Sequence, residues 1–72
     1  RIIFRNENIN NMITKLERIY DVIIINNNIE LNKMFINATF FTEKETIQDV
    51  LKYLVKIYDV NYQIINNKII IN

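Results

Sequence analysis

Apolar side chains fall at Ile9, Met12, Ile13, Leu16, Ile19 and Tyr20, with Asn8, Asn10, Asn11, Lys15, Glu17 and Arg18 between them. Three- and four-residue spacing sets one stripe along a cylinder of 3.6 residues per turn, so the pattern predicts an amphipathic helix from Ile9 to Tyr20. The same stripe returns as Ile47, Val50, Leu51, Leu54, Ile57 and Tyr58, predicting a second helix. Elsewhere the pattern shortens to alternation or to brief apolar runs rich in Ile, which predicts strands. These are Ile2–Arg5, Val22–Asn26, Met34–Phe41, Val60–Ile65 and Lys68–Asn72. Ile36, Ala38 and Phe40 share one face of the third strand. Val60, Tyr62 and Ile64 share one face of the fourth. Asn66-Asn67 separates the last two runs by two residues, a hairpin whose turn needs positive φ, and Asn tolerates that better than most residues.

The chain repeats itself. Displaced by 38 residues, Ile9, Leu16, Ile19, Tyr20, Asp21 and Val22 fall on Ile47, Leu54, Ile57, Tyr58, Asp59 and Val60. Six identities in fourteen positions mark a duplicated unit. Unit one runs over about residues 1–26, a linker over 27–33, and unit two over about 34–72. Thr42 with Glu45 predicts a capping box before the second helix, and Asn6 an N-cap for the first. Both helices end at Tyr-Asp-Val. With no Gly available, Asp21 and Asp59 are expected to take the left-handed conformation past each helix. The order β-α-β, linker, β-α-β-β gives a single α+β domain. Its expected core is Ile2, Phe4, Ile9, Met12, Ile13, Leu16, Tyr20, Val22, Ile24, Ile36, Ala38, Phe40, Ile47, Val50, Leu51, Leu54, Tyr58, Tyr62, Ile64, Ile69 and Ile71.

Composition then narrows the function. Gly, Pro, Cys, His, Ser and Trp are all missing from the 72 residues. No serine or cysteine nucleophile can be paired with a histidine base. No ordinary zinc site can form without Cys or His, and no phosphate-cradling loop without Gly. An enzyme is not expected, and neither is a cofactor or a metal. The net charge is +1, divided as +1 over residues 1–36 and 0 over 37–72, so no polyanion-binding face is expected. A KH-like RNA module would need a Gly-x-x-Gly clamp. The longest wholly apolar run is the four residues Val22–Ile25, far below the ~20 needed to cross a bilayer. The 17 Ile and 13 Asn fit AT-rich codon usage. The start at Arg1 is read as that of a piece of a longer protein.

Phe4-x-Asn6 precedes a helix ending Leu16-Glu17-x-x-Tyr20-x-Val22. A linker follows with Leu31, then Phe35 and Ala38-Thr39-Phe40. A second helix carries Ile47-x-Asp49-Val50-Leu51-x-x-Leu54, and Tyr62 and Asn67-Lys68-Ile69-Ile70-Ile71 close the chain. Over nearly its whole length this resembles the C-terminal domain of FecR-type anti-sigma regulators, especially those of gut-type Bacteroidetes. Family members commonly carry Gly after each helix and in the last hairpin, where this chain has Asp21, Asp59 and Asn66-Asn67. The resemblance implies two helices packed between a two-stranded and a three-stranded sheet. It also implies a periplasmic domain of an inner-membrane protein, joined through one upstream membrane helix to a cytoplasmic part that holds an extracytoplasmic-function sigma factor. The implied partner is the N-terminal signalling domain of a TonB-dependent outer-membrane receptor. The same-fold alternative is the signalling domain of the transducer itself, or a secretin N-domain.

Ile23, Ile25, Ile65 and Ile70 alternate away from the expected core, as do Ile3, Phe35 and Phe41. Scattered exposed apolar residues are ordinary, whereas a contiguous patch marks an interface. Ile23, Ile25, Ile65 and Ile70 are the candidate partner-binding residues. The runs Val22–Ile25 and Lys68–Ile71 carry few charges, and either is expected to offer an open sheet edge to a partner strand. Tyr53 and Val55, off the stripe of the second helix, are expected to be partly buried.

Overall fold

A computed structural model describes residues 1–72. The elements are β1 (Ile2–Asn8), α1 (Ile9–Tyr20), β2 (Ile23–Asn26), a 3₁₀ turn (Leu31–Lys33), β3 (Phe35–Phe40), α2 (Ile47–Tyr58), β4 (Tyr62–Ile65) and β5 (Lys68–Ile71). Both helices cover the residues their stripes predict. β1 and β3, the first strand of each unit, pair antiparallel as a two-stranded sheet. The second strands, β2 and β4, flank β5 in the order β2-β5-β4, with β5 parallel to β2 and antiparallel to β4. The final strand is thus inserted between the two repeats, and the α+β architecture is the expected one.

Fifteen apolar residues are buried in one cluster, drawn from both helices, both sheets and the linker. The helices contribute Ile9, Met12, Ile13 and Leu16 from α1 and Val50, Leu51 and Leu54 from α2. Each fully buried side chain of this kind contributes about 1.5–3 kcal/mol before chain entropy is counted. Ile19 and Ile57, the last Ile of each stripe, stay exposed. The following tyrosines are half-buried and donate their hydroxyls across the fold, Tyr20 to the Glu45 carbonyl (2.8 Å) and Tyr58 to the Phe35 carbonyl (3.1 Å). Tyr53 and Val55 pack partly buried against the core, and Tyr53 stands edge-on to Phe40 with ring centroids 5.4 Å apart.

Several expectations are corrected. Helix α2 is capped by Thr46, not Thr42: the Asp49 N–H donates to Thr46 Oγ1 (3.3 Å) and the Thr46 N–H to Asp49 Oδ2 (2.9 Å). The Glu45 carboxylate instead accepts from the Phe41 N–H (2.8 Å), holding a separate turn ahead of the helix. Helix α1 is capped by Asn8, whose side chain accepts from the Asn10 N–H. Asn6 sits at φ 47° in a bulge of β1, where Phe4 pairs Ala38 and Glu7 pairs Ile36. A bulge needs one residue that bends out of the ladder, and Asn6 donates its N–H to the Asn37 side chain (2.9 Å). Ile64, expected in the core, is 41% exposed because β4 is an edge strand with a neighbour on one side only. Leu31 and Val60 are buried although absent from the expected core.

The left-handed helix ends are as expected, with Asp21 at φ 53° and Asp59 at φ 52°. In the hairpin only Asn66 (φ 58°) has positive φ, the sign pattern of a type II′ turn. The linker is held by asparagine side chains: Asn26 Oδ1 accepts from the Asn28 N–H, Asn28 Oδ1 from the Leu31 N–H, and Asn26 Nδ2 donates to Asn32 Oδ1, each at 2.9 Å. These bonds seat Leu31 in the core.

Candidate protein-interaction surface

Residues opposite one another in a sheet point to the same face. In the three-stranded sheet Ile23, Lys68 and Ile65 form one row, and Ile25, Ile70 and Gln63 the next. Ile24, Ile69 and Ile71 alternate inward and are buried. All four candidate isoleucines, Ile23, Ile25, Ile65 and Ile70, therefore lie on the outer face. Ile23 (44%), Ile25 (42%) and Ile65 (53%) are exposed, and Ile70 on the central strand is half-buried. Lys68 and Gln63 stand beside them. Backbone pairing runs on to Asn61 and Asn72 (3.1 and 2.8 Å), whose exposed side chains border the patch with polar groups. Phe35 and Phe41, also exposed, do not gather in this way. Phe35 starts β3 and Phe41 lies just past its end, with Asn37 and Thr39 between them, and six residues of extended chain separate them by about 20 Å.

The expected open edges are corrected by topology. The Lys68–Ile71 run is the central strand, hydrogen-bonded on both sides, and offers no edge. β2 is an edge, but a guarded one. Ile23 and Asn27 donate their N–H groups to Asn67 and Ile71 at the β5 side, so Ile24 faces the open side. There the Ile24 N–H donates to Glu17 Oε2 (2.9 Å), a carboxylate carried by α1. A charged side chain on an edge donor is a recognised way to keep other strands away. Nothing in the spacing of Glu17 along its helix announces this bond, because it depends on where β2 docks.

Titratable groups are sparse around the patch. Away from it, a hydrogen bond from Lys15 (2.9 Å) holds the Glu7 carboxyl below its ordinary range. Burial, with the carboxylates of Glu45, Asp49 and Glu43, raises the Tyr20 phenol above its usual value, and burial with a smaller effect of Tyr53 raises Tyr58. No group of three or more acidic residues is placed to hold a metal ion, and no helix is long and apolar enough to cross a membrane.

This architecture has a solved counterpart. The crystal structure of a putative anti-sigma factor from Parabacteroides distasonis superposes on 99% of this chain with a TM-score of 0.85 at 18% sequence identity. At that identity the likeness is one of fold, and this chain spans 32% of that longer chain. Comparison with curated proteins gives no match. The family described as FecR, C-terminal, matches residues 1–71, all but the last residue. The fold expected from the motifs and the family match agree, and the chain belongs to the FecR C-terminal family.

Proposed function

We propose that this domain is the signal-receiving module of an anti-sigma regulator and that it works by binding a protein, with no chemistry of its own. The observation that carries this reading is the gathering of Ile23, Ile25, Ile65 and Ile70 on one uncovered sheet face, in a chain of the FecR C-terminal family. An apolar face bordered by Lys68, Gln63 and asparagines has the composition of an interface core with a polar rim. The partner is the N-terminal signalling domain of a TonB-dependent outer-membrane receptor, which places the domain in the periplasm. The sigma factor is reached only through a cytoplasmic part of the same protein. Family membership favours this reading over the transducer's own domain or a secretin N-domain. With a net charge of +1, association should depend on apolar burial and only weakly on salt.

Calorimetric titration of the domain with the signalling domain of its cognate receptor tests the proposal. Ile25→Lys leaves the core untouched, so the variant should fold normally and bind at least about ten-fold more weakly, a loss of about 1.4 kcal/mol. A folded Ile25→Lys variant that binds as tightly as the unaltered domain would remove this face from the mechanism.

A further inference from the structure

The edge of β4 is the strand edge of the three-stranded sheet that no charged side chain guards. Asn61 and Asn72 exchange both backbone bonds (3.1 and 2.8 Å). Alternation along an antiparallel ladder then directs Gln63 and Ile65 to β5, and turns the N–H and C=O groups of Tyr62 and Ile64 outward. No side chain or backbone group bonds to these outward N–H groups, whereas Glu17 caps the equivalent donor on β2. The strand Tyr62-Gln63-Ile64-Ile65 bears no charge, and Ile64 is exposed beside its open edge. The two-stranded sheet is less available. Its β1 carries Arg5, Glu7 and a bulge, and on β3 the Phe35 carbonyl is taken by the Tyr58 hydroxyl.

We infer that β4 pairs with β4 of a second copy of this chain, antiparallel about a two-fold axis at Gln63, forming a continuous six-stranded sheet. Charge and register both favour this occupant. Asp59 lies three residues ahead of the start of β4, and Lys68 of β5 pairs with Ile65 at its turn end. Antiparallel approach of two copies sets acidic end against basic end, and parallel approach would set like against like. With the axis at Gln63, Tyr62 of each copy lies opposite Ile64 of the other, and all outward groups of both residues are used, giving four backbone hydrogen bonds. A shift by two residues either way leaves part of them unpaired. The aligned register also sets an aromatic ring against a β-branched side chain, a favourable cross-strand pair, and covers Ile64. The contact is self-complementary and closes at two copies.

The absence of cysteine makes the register directly testable. On the axis, Gln63 meets its own copy as a non-hydrogen-bonded pair, with Cα atoms about 4.5 Å apart, within disulfide range. Asn61 lies opposite Ile65 of the mate and never opposite itself. Under mild oxidation Gln63→Cys should cross-link at least about ten-fold faster than Asn61→Cys or Ile65→Cys, because only its sulfurs face one another. Sedimentation equilibrium of the unaltered domain from about 10 μM to about 1 mM should show a reversible dimer, the range suited to so small a contact. Ile64→Pro removes an outward N–H, at an edge where strands tolerate proline, together with a side chain outside the buried core, and should leave a folded monomer. Equal cross-linking at all three positions overturns the pairing. So does a domain that stays monomeric throughout, including one whose Ile64→Pro variant loses a different protein partner. If Ile64→Pro fails to fold, the cysteine series decides alone, and it does not depend on receptor binding.

Discussion

Four non-glycine residues with positive φ hold the turns of a chain that has no glycine: Asn6, Asp21, Asp59 and Asn66. A Cβ atom in that region crowds the neighbouring carbonyl by roughly 1–2 kcal/mol, and Asn and Asp offset part of it by local hydrogen bonding. Alanine has no such compensation. Asp59→Ala should be less stable than Asp59→Gly by about 1 kcal/mol in urea unfolding, and equal midpoints would show that the left-handed cap carries no strain. The helix caps make a second residue-scale contrast. Thr46→Ala should cost about 1 kcal/mol, since the hydroxyl satisfies the Asp49 N–H. The tyrosines set a pH dependence. Burial disfavours the phenolate of Tyr20 and Tyr58, so each keeps its proton in the folded state at pH values where the unfolded chain has lost it. Their contribution is complete below the ordinary tyrosine value near 10 and is lost as pH rises through the folded value. Tyr20→Phe should therefore lose less stability between pH 9 and pH 11 than the unaltered domain, measured by urea midpoints at each pH.

At the scale of elements, the linker and the last strand contribute more than their positions in the sequence suggest. Residues 27–33 read as a connection between two units, yet Leu31 is 1% exposed and held there by the Asn26, Asn28 and Asn32 side chains. Whatever the origin of the many asparagines, their placement here is structural. Leu31→Ala should cost about 2–5 kcal/mol, the range for emptying a packed site, and thermal unfolding would register it as a fall of many degrees. A cost below ~0.5 kcal/mol would show that the linker floats over the core. β5 lies outside the duplicated pattern and stands between its two halves. By pairing with both β2 and β4 it joins units one and two in the same sheet, as β1 and β3 do in the other.

At the scale of the domain, 72 residues with no cysteine and no cluster of metal-ligating side chains leave a stability of a few kcal/mol. The exposed outer isoleucines Ile23, Ile25 and Ile65 do not add to the core, which is why the proposed function places a partner on them. The two proposals thus use different surfaces of the three-stranded sheet, its outer apolar face for a receptor domain and the edge of β4 for a second copy. The two can be separated experimentally, because Ile25→Lys alters the face and Ile64→Pro alters the edge.

The sequence by itself determined both helices, the places where they stop, the duplication and the inward alternation of most strands, and its motifs resembled the family. These features depend on periodicity and on local backbone preference, which are written within a few residues of one another. It also named the four isoleucines, since alternation within a strand says which residues share a face. Tertiary structure alone decided that β2 and β5 lie side by side, bringing isoleucines more than 40 residues apart in the chain onto one patch. It alone made Lys68–Ile71 a central strand and β4 an edge, moved Ile64 out of the core and Leu31 into it, and brought Glu17 to the Ile24 N–H. Strand order and edge exposure are set by contacts between segments distant along the chain, and a one-dimensional pattern of apolar and polar positions carries no record of which strand lies beside which.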